Sequence, residues 1–207
     1  MPAEARRFPS DVAFTDTVKA IQARKGSRRA YGRMEEGGSW ETAIPPSLKA
    51  EIEAQTSVFL ATANAQGQPY IQHRGGPPGF LRVIDERTIA FVDFAGNRQY
   101  ITQGNLAENP KAHLFLIDYA RRWRTKIWGE ARVVEGAEGL AAELMPPGYA
   151  AKAEQVVLFR VSAWNTNCPR HIPQRFDADQ VRAMLEARDE RILELEAEVE
   201  RLRRTGA

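Results

Sequence analysis

At 207 residues, 43% of them hydrophobic, the chain is long enough for one sizeable core, and domain-size statistics favour a single domain with decorations over two full ones. Lys plus Arg number 29 against 27 Asp plus Glu, and a net charge of +2 does not call for a nucleic-acid partner. One cysteine, Cys168, excludes an intrachain disulfide, and with no paired Cys/His spacing no metal site is expected.

The first residues, "MPAEARRFPSDVAF", contain no apolar signal core, and no apolar run approaches the roughly 20 residues of a membrane span. The expectation is a soluble, cytoplasmic protein without membrane contact. Residues 1–44 read as an N-terminal helical arm. Ser10 and Asp11 are capping types, Val12, Val18 and Ile21 would line one face of a short helix, and Gly26 would end it. "MEEGGSWETA" reads as loop by its glycines, and Pro45 and Pro46 start a second helix with Leu48 and Ile52 four apart on one face.

From Ser57 the pattern turns to short strands. "SVFLATANAQGQPYIQHRGG" has two strands around a turn in which Gly67 supplies the unusual dihedral, and "GFLRVIDERTIAFVDFAG" repeats the device around Asp85 to Arg87. "KAHLFLIDY" and "TKIWGEARVVE" follow across the basic turn "ARRWR". A short helix, "AEGLAAELMP", then precedes the last strand, "EQVVLFRVSAWN". Six or seven strands with short turn-rich connections point to an antiparallel meander or barrel and away from parallel βαβ units.

The tail, residues 177–207, is different in kind. Leu185, Ile192, Leu195, Val199 and Leu202 recur at alternating three and four spacing once past Arg188, with Glu and Arg between them. So narrow an apolar stripe is marginal as a lone helix, so the tail should pair, either as a self-associating coiled coil or by packing back on its own domain.

Four stretches carry residues suited to chemistry. In "IQHRGGPPGF", Arg74 is followed by Gly75 and Gly76, a cation beside backbone that a ligand can approach; the alternative is a rigid wide turn with a solvated Arg. In "VDFAGNRQYITQGNLAENP", Asn97 reads as an N-cap with Arg98 and Gln99 in the first helical turn. Free N–H groups, the helix dipole and Arg98 would together favour an anion there, and the alternative is a surface turn. In "YARRWRTKIWGEAR", strand alternation puts Arg124, Lys126 and Trp128 on one face. "SAWNTNCPRHIPQRF" gathers Trp164, Asn165, Asn167, Arg170, His171 and Arg175 between prolines. Cys168 has no evident base partner and reads as inert, and no carboxylate partner for His171 is visible, so no catalytic residue is assigned.

Together "VFLATANAQGQPYIQHR", "FVDFAGNRQYITQGNLAENPKAHLFL", "IWGEARVV" and "FRVSAWNTNCPRHIPQRF" resemble the pyridoxamine 5′-phosphate oxidase-like, FMN-binding split β-barrel family, over residues 45–176. The resemblance implies a mainly β fold with added helices, a six-stranded antiparallel split barrel, in a homodimer with FMN at the interface. It assigns Arg74 to the FMN phosphate, with Gly75 beside it. Val92 and Asp93 fall on the strand along the flavin, and Arg98 and Gln99 stand where an Arg-Lys pair usually grips the phosphate. Arg124 matches a position that usually holds a Gln reaching the cofactor. Trp164 and Arg175 match residues that approach the ring from the partner chain, and Arg170 and His171 lie on the substrate side.

The sequence departs from true pyridoxamine-phosphate oxidases where those hold the substrate phosphate. "GGPPG" replaces an apolar run ending in Lys, and "EGLAAELMPPGYA" lacks a Tyr, Arg and Ser trio. The expectation is an FMN-dependent oxidoreductase acting on some other small molecule, the alternative a non-catalytic binding module for flavin, haem or another flat anionic ligand.

Overall fold

A computed structural model describes residues 8–38, 40–166 and 170–205, and Asn167 and Cys168 lie outside them. A 3-10 turn, Pro9–Val12, leads into α1 (Asp16–Arg24), whose N-terminus is capped by Thr15 Oγ1 accepting the Val18 N–H at 3.3 Å. Gly26, at φ +81°, ends it as expected. Ile21 is exposed, so the expected Val12/Val18/Ile21 face is not a core face.

A helix that the sequence reading passed over follows, α2 (Arg28–Glu36). Its sequence, "RRAYGRMEE", is rich in good helix formers with Ala30, Tyr31 and Met34 on one face, but at nine residues it is too short to stand alone. What fixes it is tertiary: the Glu35 carboxylate is buried, pairs with Arg28, and accepts the Ser10 hydroxyl at 3.0 Å, while Arg28 Nη1 also donates to Gln22 Oε1 at 2.6 Å. A buried carboxylate so satisfied anchors the short segment on its neighbours.

α3 (Pro46–Glu53) starts at the two prolines and buries Leu48 and Ile52. The strands are β1 (Ser57–Ala63), β2 (Pro69–Gly75), β3 (Leu81–Asp85), β4 (Thr88–Phe94), β5 (Lys111–Asp118), β6 (Trp123–Val134) and β7 (Ala153–Thr166). α4 (Ile101–Glu108) lies between β4 and β5, α5 (Glu138–Leu144) between β6 and β7, and α6 (Ala178–Thr205) ends the described chain. Among the described residues no helix is long and apolar enough to cross a membrane.

The strands form one seven-stranded sheet in the order β2-β1-β5-β6-β7-β4-β3. The expected six-stranded barrel is therefore corrected to seven strands in a sheet whose outer members, β2 and β3, do not pair. Alternation does the packing: along β1, Val58, Leu60 and Thr62 are buried and their neighbours are not. β4 breaks the alternation, with Ile89 to Asp93 all buried. The reason is a helix on its second face, where Ala90 and Val92 pack with Ala141 and Leu144 of α5 and Val156 of β7.

The chain divides into two compact units. One comprises Met1–Ile117 with Arg124–Cys168; the other comprises Asp118–Trp123 with Pro169–Ala207. Within the first, the segment before α3 is stitched to β7 by Trp164 N–H donating to the Glu41 carbonyl at 2.9 Å and Ile44 N–H to the Glu86 carbonyl at 2.7 Å joins it to the β3–β4 turn. Within the second, Arg122 Nε donates to the Ile172 carbonyl at 3.0 Å, and the Arg175 guanidinium lies 4.9 Å from the Tyr119 ring centre.

The register of β6 on β7 shifts at Trp128/Gly129. A Cβ at Gly129 would run into the Arg160 carbonyl and the Phe159 ring, which is the reason for glycine at this bulge. Gly129→Ala should therefore destabilise the protein by roughly 1–3 kcal/mol through overpacking, read as a lower urea midpoint at unchanged slope. An unchanged midpoint would show that the sheet opens there freely.

Candidate functional site

The end of β2, the end of β4 and the start of α4 enclose a cavity of about 130 Å³. Its floor is a buried charge pair. Asp93 on β4 lies opposite Gln155 on β7, and its Oδ2 accepts the Gln155 amide N–H at 3.0 Å, while Arg74 Nη1 sits 3.0 Å from Oδ1. That contact is poorly aligned, and the hydrogen bond between the two is a long one, Arg74 Nη2 donating to Asp93 Oδ2 at 3.4 Å; Asp93 Oδ1 and Arg74 Nε are both buried without a hydrogen-bond partner among the described residues. A buried N–H left unpaired costs about 1–3 kcal/mol, and it is held at the edge of a cavity an acceptor can enter.

The wall is the turn from Ala95 to Tyr100. Asn97 Oδ1 accepts the Gln99 N–H at 3.2 Å, making a local turn and not the expected helix cap. Arg98 and Tyr100 take left-handed backbone conformations, φ +56° and +53°, which non-glycine residues adopt only where the surroundings enforce it. The Tyr100 hydroxyl donates to Glu154 Oε1 of β7 at 2.8 Å, which ties the turn to β7 and holds the phenol above its usual pKa.

The helix consequently begins at Ile101, three residues later than Arg98, and Tyr100 at its N-cap position supplies no side-chain acceptor. Arg98 and Gln99 are not in its first turn, as the sequence had implied; they precede it and line the cavity with Ile101, Thr102 and Gln103. The Thr102 and Tyr70 hydroxyls both donate to Gln72 Oε1, at 3.3 and 3.1 Å, completing a polar lining.

The charges nearly cancel. Arg74 faces Asp93, and Arg98 Nε is 3.9 Å from Glu154 Oε1, so two cations are matched by two carboxylates. The two pairs differ in strength: Arg74 and Asp93 are both largely buried, whereas the Arg98 side chain is 62% exposed. A long, exposed contact contributes little, so Arg98 is free to take another acceptor.

Of the residues singled out in sequence, Arg74, Asp93, Asn97, Arg98 and Gln99 thus share one cavity. Tyr70, Gln72, Tyr100, Glu154 and Gln155 join them there and were missed. Gln72 two places before Arg74 on an alternating strand was the one readable signal; Glu154 and Gln155 arrive by long-range pairing. Gly75 does not line the cavity, and the space a Cβ would need there is taken by the His73 ring. Val92 does not line the cavity either; its side chain packs in the apolar cluster under α5.

Arg124 and Trp164 lie elsewhere in the same unit. Trp164 pairs with Ile127 of β6, and its indole N–H donates to the Ala43 carbonyl at 2.8 Å. Trp164 stands nine residues along β7 from Gln155, or about 30 Å at strand rise. Arg170, His171 and Arg175 belong to the second unit, where His171 has φ +66°.

The expected face of Arg124, Lys126 and Trp128 is present, all three partly buried. Trp128 is packed between Trp40, at 4.7 Å between ring centres, and the edge of His113, at 4.9 Å, with Lys126 Nζ 5.5 Å from its ring. Burial lowers the Lys126 pKa, and burial first and Lys126 second push His113 down to about 4.

A family model described as pyridoxamine 5′-phosphate oxidase matches residues 44–168. The match spans more than half of the chain, and the chain belongs to that family. No curated protein matches it. Among solved structures it is similar to HupZ of Group A Streptococcus, at 19% identity over 64% of this chain and 100% of that one, with a TM-score of 0.49. It is also similar to a putative pyridoxamine 5′-phosphate oxidase of Lactobacillus delbrueckii, at 18% identity over 60% and 94% of the two chains, TM-score 0.45. A third is an FMN-binding protein of Syntrophomonas wolfei, at 12% identity over 70% and 97%, TM-score 0.46. Likeness at this level carries no functional argument.

The buried histidine sets a pH dependence. His113 has a folded pKa of about 4 against an ordinary 6.5, so between those values the unfolded chain binds the extra proton. Stability conferred by the neutral ring is complete above pH 6.5 and drains away as pH falls toward 4, by up to roughly 3 kcal/mol. His113→Gln should flatten the fall of the melting temperature between pH 7 and pH 4.5; an equally steep fall in the variant would assign the loss to other groups.

Proposed function

We propose that this protein binds FMN with its phosphate in the cavity between β2, the β4–α4 turn and α4, and acts as an FMN-dependent oxidoreductase on a small molecule. The observation that carries the reading is the set of unspent donors there: the orphaned Arg74 Nε, the loosely held Arg98 fork, Gln99, and an α4 N-terminus without a side-chain cap. Hydrogen bonds to buried guanidinium and to free helical N–H groups are what a phosphate requires, and family membership supports the same cofactor.

The residues present fit the group. Arg74 supplies a pre-positioned cation, its geometry locked by Asp93 and Gln155, so little entropy remains to be lost on binding. Arg98 supplies the second, exchanging Glu154 for the phosphate. Gln99, where a second cation stands in relatives as the sequence resemblance implies, donates without charge. When bound, the flavin supplies the redox chemistry, accepting and releasing electrons at its ring, while the protein contributes binding and orientation.

Arg124 and Trp164 bear on the arrangement. About 30 Å along β7 from the phosphate residues, Trp164 stands too far away to touch a flavin held by its own chain's cavity. This supports a homodimer in which each flavin is gripped by one protomer and flanked by Trp164 and Arg124 of the other, with Arg175, Arg170 and His171 on the ring and substrate side as the family resemblance implies.

Protein purified without added cofactor should show a flavin band or bind FMN on titration; the absence of both would overturn the proposal. Bound flavin that NADH and NADPH both fail to reduce would instead favour the binding module. Two substitutions separate the charges. Arg98→Ala should weaken FMN at least tenfold, about 1.4 kcal/mol, with an unchanged melting temperature of the apoprotein. Glu154→Gln keeps the acceptor for Tyr100 but removes the opposing charge, so FMN should bind severalfold more tightly; weaker binding would mean that Glu154 orders the turn and does not compete with the phosphate.

A further inference from the structure

α6 has 28 residues, none of them buried, and its apolar side chains stand in water: Ile192 is 50% exposed, Leu195 47% and Val199 46%. Fully formed it is about 42 Å long. We infer that α6 pairs with α6 of a second copy of this chain as a parallel, in-register, two-stranded coiled coil. Nothing in this depends on the flavin reading.

The heptad positions follow from the apolar spacing. Ile192 and Val199 occupy a, Leu195 and Leu202 occupy d, and extending the frame backward places Leu185 at a, Arg188 at d and Val181 at d. β-branched residues at a with Leu at d are the combination that favours two parallel strands over three or four. The interruption at Arg188 is answered in the same frame, because the next position, e, is Asp189, and a d residue enters a hole that includes the partner's e side chain. A slip of one heptad would set Arg188 against Val181 or Leu195, so the same residue that weakens the seam also penalises the wrong register.

Charge decides orientation. In a parallel pair, each g residue reaches the e residue five places on in the other chain. Arg191 then meets the partner's Glu196, and Glu198 meets the partner's Arg203, each twice by symmetry and with no like-charged g–e pair; the one like-charged contact is Arg188 on its own copy at d, flanked by the two Asp189 carboxylates. An antiparallel pair aligned to stack Leu185 on Leu202 and Ile192 on Leu195 brings e against e. It sets Asp189 on Glu196 and Arg182 on Arg203, two repulsions against the single g–g attraction of Arg191 with Glu198, each also doubled. Within the single helix, Arg191 pairs with Glu194 at 2.7 Å, and Arg201 pairs with Glu198. These i,i+3 contacts support the lone helix and leave further donors and acceptors of each group for the partner.

The test uses full-length protein carrying Cys168→Ser, with one new cysteine at Leu195→Cys (d) or, as control, at Ala197→Cys on the outer f face. Under mild oxidation Leu195→Cys should give covalent dimer at least tenfold faster than Ala197→Cys, and Leu202→Cys should behave like Leu195→Cys. Adding Arg191→Glu should slow crosslinking at 195 severalfold, and adding Glu196→Arg to that variant should restore it. Equal rates at 195 and 197 would overturn the pairing, as they would follow if α6 packed on its own chain, and a fast crosslink at 195 without one at 202 would overturn the parallel orientation, because the antiparallel alignment holds the two copies of residue 202 about 25 Å apart. A crosslink at 195 that ignores Arg191→Glu would overturn the assigned charge register.

Discussion

Strand β7 hydrogen-bonds along both of its edges, to β6 over residues 156–166 and to β4 over residues 153–160. A fourteen-residue strand paired on both sides leaves no freedom of register, since a slip of one residue would turn every inward side chain outward. The positions that matter are consequences of that register. Gln155 is set opposite Asp93 at one end, and at the other Trp164 is set opposite Ile127 and clasped by Glu41.

The cavity at the first end is assembled from compromises. Arg74 is buried without a partner for Nε, Asp93 is buried beside it, and two residues of the following turn adopt left-handed backbone. Each feature alone is unfavourable, and together they converge on one pocket whose rim, Arg98 with Glu154, is loosely tied. Strain and unspent donors concentrated at one place are the physical signature of a site shaped for a ligand. The near-cancellation of charge means that an anion bound there, as proposed, would be held by aligned donors and by displacement of Glu154 from Arg98, and not by a surplus of positive charge.

The second unit follows a different logic. The segments 118–123 and 169–176 hold one another through Arg122, Gln174 and the Arg175–Tyr119 contact. From there the chain runs into a helix whose polar positions are nearly all charged and whose apolar stripe has no cover among the described residues. Apolar side chains in a heptad frame broken only at Arg188 among positions 181–202, with oppositely charged g and e positions, are expensive to leave in water and simple to satisfy with a second identical helix.

The strands were legible from sequence because alternation, glycine turns and β-branched runs act within a few residues. Gly67, the Asp85–Arg87 turn and the α3 start at Pro45 and Pro46 stand where local chemistry put them. The tail's stripe was legible for the same reason. Arg74, Asp93, Asn97, Arg98 and Gln99 could be singled out from their neighbours in the chain. What tertiary structure alone decided is whatever depends on a distant partner. Glu35 anchors α2, Glu154 ties Tyr100 to β7 ahead of α4, Val92 packs against α5, and Gln155 bonds Asp93 beside Arg74. Local pattern reports the period of the backbone; the state of a buried charge or a strained turn is fixed by groups tens of residues away, and sequence order does not record which of them will meet.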